Sequence, residues 1–354
     1  MRFRNVCIEA FGIDLPGNIV TSAELEERLS PLYDRLRLPY GRLELMTGIK
    51  ERRFWNKGAL PSEGSIRAGE KAIERAENAG PVREKLQCLI HASVSRDFLE
   101  PATATVVHHA LGLSPAAFIF DLSNACLGFV NGMIVLASMI DSGQVSAGMV
   151  VAGEHGGPLV ETTIAHLLSD PDPSREKLKS AFASLTIGSG AAAVILTHAG
   201  ISRTGHRLLG GATRAASQHN GLCRGGVGGS DSALDSESQP TMRTDAEKLL
   251  IAGCQLAVET WADTKRCLEW SDGDADRFFC HQVGTAHRRA LFSSLELDME
   301  RDFPTVEFLG NMGSVSLPVT MAIGIEQGFL KAGQKAGLLG IGSGISCCML
   351  GVEW

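Results

Sequence analysis

The feature that most restricts this chain is an order of elements that occurs twice. The stretch NACLGFVNGMIVLASMIDSGQVSAGMVVAGE (124–154) runs small residues, a helical stretch, glycine, then an apolar strand. GNMGSVSLPVTMAIGIEQGFLKAGQKAGLLGIGSG (310–344) runs through the same features, and DRFFCHQVG (276–284) echoes LQCLIHASV in the first half. Self-similarity on this scale implies a duplicated α/β unit. Residues 1–200 form one half and 201–354 the other, with the copies meeting between 200 and 245. Further β-branched or apolar runs, AAFIFDLS (116–123), AGMVVAGE (147–154) and AAAVILTH (191–198), alternate with amphipathic stretches, the signature of parallel strands joined by helices. Duplication would bring the equivalent helix starts to a shared centre. The segment from Thr213 to Asp245, rich in Gly, Ser and Asp, reads as a long loop.

Composition narrows the class. A net charge of −7 offers no basic excess for a polyanion, so no nucleic-acid partner is expected. No apolar run approaches the roughly 18 residues of a membrane span, and the first residues lack a secretory h-region, which points to a cytoplasmic enzyme. The nine cysteines are an odd number with no CxxC pair, so free thiols are expected and a metal cluster is not. Adjacent Cys347 and Cys348 should face opposite sides of a strand.

Cys126 follows FIFDLS and precedes a helical stretch. At such an elbow the helix dipole and free N–H groups favour thiolate over thiol. Free cysteine is also among the most buried residue types, and local context alone leaves the core-filler reading ahead. A nucleophile needs partners from elsewhere in the chain. His281 ends a buried strand and precedes a turn into a helix, where α/β folds place working side chains. His91 holds the matching position in the first half and reads as a core histidine. Asn311 starts the helix that echoes the Cys126 helix, where asparagine also serves as an N-cap.

NACLGF, CHQVGTAH and GNMGSVSLP, in that order, resemble the Cys, His and Asn motifs of β-ketoacyl synthase III enzymes of the thiolase superfamily. MTGIKERRFW, TIGSGAAAVIL and GIGSGISC resemble further segments of that family, so the likeness spans essentially the whole chain. It implies a duplicated five-layered αβαβα fold and a homodimer that takes coenzyme A thioesters as substrates and holds no tightly bound cofactor. Cys126 would accept an acyl group, with its own N–H and one near Ser343 holding the oxyanion. His281 and Asn311 would donate hydrogen bonds to the thioester oxygen of the second substrate.

The initiating enzymes of that family usually carry an aromatic residue before the proline of the loop SVSRDFLEPATA, where this chain has Glu100. That loop reaches across the dimer in the family, and a partly desolvated carboxylate there could act as a general base. Glu100 therefore resembles the base of the OleA-type branch, which condenses two acyl-CoA molecules without decarboxylation; TSAELEERLSPLYDRL and LCRGG look closer to that branch as well. The alternatives are a decarboxylating initiator that uses malonyl-ACP, and a subunit that only binds acyl-CoA. Two departures concern outer contacts: Arg42 stands where initiators commonly have a tryptophan, and the segment from Gly225 to Pro240 is longer than in relatives. Phe98, Leu99, Phe308 and Leu309 read as core in preference to pocket lining.

Overall fold

The computed structural model describes residues 1–78, 80–227 and 240–354. Its strands are β1 (Val6–Asp14), β2 (Asn18–Thr21), β3 (Glu51–Phe54), β4 (Cys88–His91), β5 (Phe118–Asp121), β6 (Ala147–Glu154), β7 (Gly190–His198), β8 (Arg207–Ala215), β9 (Cys223–Val227), β10 (Pro240–Thr244), β11 (Arg277–Cys280), β12 (Lys335–Gly342) and β13 (Ser346–Glu353). Every residue of β6 is buried, as befits a strand covered on both faces. The main sheet has the order β11-β12-β13-β8-β1-β7-β6-β4-β5, while β2 with β3 and β9 with β10 form separate pairs.

The same neighbour relations occur twice in that order. β4 is parallel to β6, β6 antiparallel to β7, and β7 antiparallel to β1. Likewise β11 is parallel to β12, β12 antiparallel to β13, and β13 antiparallel to β8. The two sets join where Cys7 of β1 pairs with Arg207 of β8.

Two helices fill the space between the sets. In Gly128–Asp141, Phe129, Val130, Met133, Leu136, Ala137 and Ile140 recur at helical spacing and are all buried. Ser316–Glu326 is buried without interruption from Ser316 to Ala322, which suits a helix with protein on every side. Both helices share one core with Val150 and Val194 of the first set and Leu338 and Leu350 of the second. Helices Pro61–Glu77 and Thr103–Ala110 cover the outer face of the first set, where Ala68, Ala72 and Val107 meet Met149 and Val151. Ala246–Leu268 and Thr285–Ser294 cover the second set through Leu256, Trp261 and Phe292 against Phe278 and Leu339. The layers are therefore helix, sheet, helix, sheet, helix.

Cys347 belongs to the outer core and Cys348 to the central one, on opposite faces of β13 as the alternation requires. All nine cysteines are free. Among the described residues no helix is long and apolar enough to cross a membrane, and no cluster of His, Cys, Asp and Glu could hold a metal ion.

Two expectations need correction. The stretch from Thr213 to Asp245 is not one loop: it contains the end of β8, a short 3₁₀ turn at Ser217–His219, and the paired strands β9 and β10. Glycine and serine there obscure strands that are defined by their pairing, β8 with the distant β13 and β9 with β10. Most of the stretch between Gly225 and Pro240 that looked extended lies outside the described residues. Phe98, Leu99 and Phe308 are exposed, and only Leu309 of that group is core.

Candidate active site

Cys126 sits on a strained elbow. β5 ends at Asp121, and Ala125 takes a left-handed φ of 46°, a conformation a residue with a Cβ rarely adopts. The Leu127 and Gly128 N–H groups donate to the carbonyls of Asn124 and Ala125, and the helix begins at Gly128. The sequence favours a thiolate here, but enclosure acts the other way. Burial pushes the half-buried Cys126 thiol up to about 12, and the neighbouring Glu154 and Cys223 add to the shift. Desolvation of the charged form outweighs what the helix end returns.

The turn joining β12 to β13 lies against this elbow. A Cβ on Gly340 would stand 2.7 Å from Leu127 Cδ2, and one on Gly342 would stand 3.0 Å from Leu127 Cγ. Only glycine allows the turn to approach so closely. The contact brings half-buried Ser343 next to the cysteine segment.

His281 follows β11 directly. Its N–H donates to the Leu339 carbonyl at 2.9 Å, one residue from the Gly340 that touches Leu127. Burial, with the nearby His287, pushes its imidazole down to about 3, so the ring is neutral. Nδ1 of His281 is buried with no hydrogen-bond partner among the described residues. The next residue, Gln282, carries a role that its motif did not disclose. Its Oε1 accepts from the N–H groups of Thr305 and Val306, and its Nε2 donates to the Phe303 carbonyl. The end of the histidine strand is thereby fixed to the segment that leads to Asn311.

Asn311 lies one turn upstream of its helix, which begins at Ser316, so it does not start that helix. Its backbone is clamped on both sides, N–H to the Thr186 carbonyl and C=O from the Gly188 N–H. Gly188 is needed for this clamp, since a Cβ there would meet the Leu309 carbonyl oxygen at 2.3 Å. Oδ1 of Asn311 accepts from the Gly313 N–H at 3.0 Å, which leaves its NH₂ as the free donor end. The turn Gly313–Val315 packs against the Cys126 helix. The four segments that carry Cys126, Ser343, His281 and Asn311 thus lie against one another.

A buried carboxylate that the sequence did not signal stands in the same place. Glu154, at the end of β6, is 5% exposed. It accepts from the Val94 and Ser95 N–H groups at 2.9 and 3.1 Å, and from both the N–H and the hydroxyl of Ser314. Burial raises its pKa, while these hydrogen bonds oppose the rise.

Glu100 is not gathered with the others. It stands exposed in the loop after β4, and its side chain has no hydrogen bond or ion pair among the described residues. Phe98 and Leu99 beside it are 48% and 63% exposed. The desolvation expected of Glu100 is therefore absent from the single chain. His91 is a core residue, as its sequence suggested: Nε2 lies 3.1 Å from Ser65 Oγ and 3.2 Å from Ser93 Oγ. Arg42 opens the short helix Arg42–Thr47.

Residues 120–216 match the family model for 3-oxoacyl-[acyl-carrier-protein] synthase III, and residues 267–354 match the model for its C-terminal part. The acyl-CoA:acyl-CoA alkyltransferase of Shewanella oneidensis is 43% identical over the full length of both chains. The β-ketoacyl-[acyl-carrier-protein] synthase III of Aliarcobacter butzleri is 28% identical, covering 95% of this chain and 94% of that one. A crystal structure of Xanthomonas campestris OleA, in a cysteine-to-serine variant with bound lauric acid and lauroyl-CoA, superposes with a TM-score of 0.91 at 37% identity. It covers 99% of this chain and 100% of that one. Variants of the same protein altered at one glutamate or one histidine have also been solved. The glutamate and the cysteine altered there are separated by the same interval as Glu100 and Cys126.

Proposed function

Because the chain belongs to the 3-oxoacyl-[acyl-carrier-protein] synthase III family, and within it to the OleA-type branch, we propose that it joins two fatty acyl-CoA molecules head to head through an acyl-Cys126 intermediate. The observation that supports this reading is that the Cys126 elbow packs against the strand that His281 bonds to and against the turn after Asn311.

In the first step Cys126 sulfur attacks the thioester carbonyl. A new C–S bond forms, the bond to coenzyme A breaks, and the cysteine proton leaves with the coenzyme A thiol. The oxyanion is held by the Cys126 N–H and one from the turn around Ser343, an arrangement in which each donor contributes about 10²–10³ in rate. In the second step Glu100 removes the α-proton of a second acyl-CoA, and His281 and Asn311 hold the enolate oxygen. The α-carbon attacks the acyl-Cys126 carbonyl, and the cysteine sulfur departs with the electron pair of the broken C–S bond. The proton taken up by Glu100 passes to the departing cysteine sulfur, which restores both groups; no carboxylate is lost and no resident cofactor is needed. Residues 1–200 supply the nucleophile in this scheme and residues 201–354 the two donors.

The base comes from a second copy of the chain, with Glu100 of one protomer completing the site of the other in a cytoplasmic homodimer. Two features support this. β5 is the last strand of the sheet with Phe118 58% exposed, an unpaired edge of the kind that invites a partner. The Glu100 loop presents Val94, Phe98 and Leu99 to solvent, an apolar tip that a second subunit would cover.

The test is incubation with lauroyl-CoA alone, followed by mass spectrometry of product and protein. Release of coenzyme A with formation of a β-keto product is expected. Product that forms only after addition of malonyl-ACP would replace this reading with decarboxylative initiation. Absence of any Cys126 adduct would reduce the protein to a binding subunit.

A further inference from the structure

Glu154 is placed where three parts of the site meet. One oxygen takes the Val94 N–H and both Ser314 donors, and the other takes the Ser95 N–H. Val94 and Ser95 open the loop that ends in Glu100, and Ser314 belongs to the turn that follows Asn311. The loop base has further ties to the end of β6: the Gly153 N–H donates to Ser93 Oγ and the His155 N–H to Ser95 Oγ. Farther along, Asp97 Oδ1 accepts from the Ser62 N–H at 3.0 Å and the Asp97 N–H donates to Thr103 Oγ1 at 3.3 Å, while Glu100 stands exposed. A carboxylate at 5% exposure, bound by uncharged donors alone among its recorded hydrogen bonds, is an expensive way to join two backbone segments.

We propose that Glu154 is a positioning residue, a single buried carboxylate that holds the base of the Glu100 loop and the turn after Asn311 in fixed relation beside Cys126. It touches no reacting atom and acts through the groups it aligns. The inference rests on the proposed reaction for its kinetic consequence and on geometry for the rest.

Its charge has a second effect, on the thiol. The titratable groups that act on Cys126 are Glu154 from β6 and Cys223 from β9, and both disfavour the thiolate. His155 follows Glu154 and Asp97 lies in the loop, while Ser95 and Ser314 are uncharged. Removing the Glu154 charge should make Cys126 easier to ionise while loosening the loop and the turn. A general packing defect would not divide the two effects in this way.

The experiment uses the full-length protein carrying Glu154→Gln, which keeps the size of the side chain but turns an amide NH₂ toward N–H donors. Condensation of lauroyl-CoA should fall by about tenfold or more, the scale of lost hydrogen bonds to a charged group. Alkylation of Cys126 by iodoacetamide at pH 8 should rise by about threefold or more as its pH profile moves down. Amide hydrogen exchange should quicken at both 94–95 and 313–314. In a Glu100→Gln background the same change should add less than about twofold to the condensation loss, because the two residues act in series. Ser314→Ala, which removes one donor from the turn side, should quicken exchange at 313–314 and leave 94–95 unchanged.

If alkylation and condensation both slow together, or both stay as in the unaltered protein, the proposal is overturned. Failure of the unaltered protein to condense lauroyl-CoA would count against the proposed reaction, and the exchange and alkylation measurements would still decide the role of Glu154.

Discussion

A mixing experiment separates a base supplied across a dimer from one supplied within a chain. One variant, Cys126→Ala, lacks the nucleophile but keeps Glu100; the other, Glu100→Ala, keeps Cys126 and lacks the carboxylate. Glu100 is exposed and its side chain has no hydrogen bond or ion pair among the described residues, so its removal should leave the fold and Cys126 acylation intact. Glu100→Ala alone should lose condensation by about 100-fold or more, the usual contribution of a general base, and Cys126→Ala alone should lose it entirely because no acyl-enzyme can form. When equal amounts are dissociated and reassociated at random, half of the dimers are mixed, and each mixed dimer has one site with both groups if Glu100 crosses. Activity per site should therefore recover to about a quarter of the unaltered level in a symmetric dimer. Condensation is followed by product mass, and subunit exchange by a mass tag on one variant. Full exchange without recovery would refute the crossing of Glu100, because a base acting within its own chain leaves no mixed site complete.

Three further outcomes follow from the geometry. Phe118→Glu on the exposed edge strand should shift the protein from dimer to monomer in size-exclusion chromatography with light scattering, and condensation should fall with it; an intact dimer would mean the interface lies elsewhere. Gly188→Ala places a Cβ 2.3 Å from the Leu309 carbonyl oxygen, so the Asn311 turn must shift. The cost by chemical denaturation should be about 1–3 kcal/mol, with condensation impaired more than acylation. Burial pushes His91 down to about 4, so it stays neutral in the fold while an unfolded chain protonates it near pH 6.5. Its contribution to stability is present above that pH and is lost as pH falls from about 6.5 to 4. His91→Asn should reduce the slope of unfolding free energy in this window by about 1.4 kcal/mol per pH unit, and an unchanged slope would show that His91 is protonated in the fold.

The sequence discloses what local pattern can carry. The run AGMVVAGE coincides with β6, and the helix read after Cys126 is Gly128–Asp141. Cys126 and His281 can be singled out because each stands beside a strand end or a helix start, whereas Asn311 is singled out as a helix start that the fold places one turn further on. Glu154 and Gln282 are not, although both lie in stretches that the sequence marks out. Their roles come from contacts with residues distant in the chain, Ser314 for one and Thr305 with Val306 for the other. Nothing in "AGE" announces a buried carboxylate, since burial there is imposed by a loop and a turn that arrive from opposite ends of the chain. The thiolate favoured at Cys126 by its helix start is opposed for the same reason: the helix start is local, while the walls that remove water are not.

Those walls explain how the work is divided. The enclosure that raises Cys126 also lowers His281, so the centre resists every charge, whichever its sign. A reaction that passes through an oxyanion and an enolate must then form its charges only where fixed neutral donors already point, which is what Asn311 with its Oδ1 engaged provides. A carboxylate inside this centre, Glu154, has its pKa raised by the same burial, which the hydrogen bonds donated by Val94, Ser95 and Ser314 oppose. The proposed base, Glu100, stands exposed on a loop anchored at Val94, Ser95 and Asp97, and so lies outside that enclosure in the single chain. On the proposed mechanism the exposed Glu100 and the buried Glu154 divide the work, the first supplying the base and the second fixing the start of the loop that carries it.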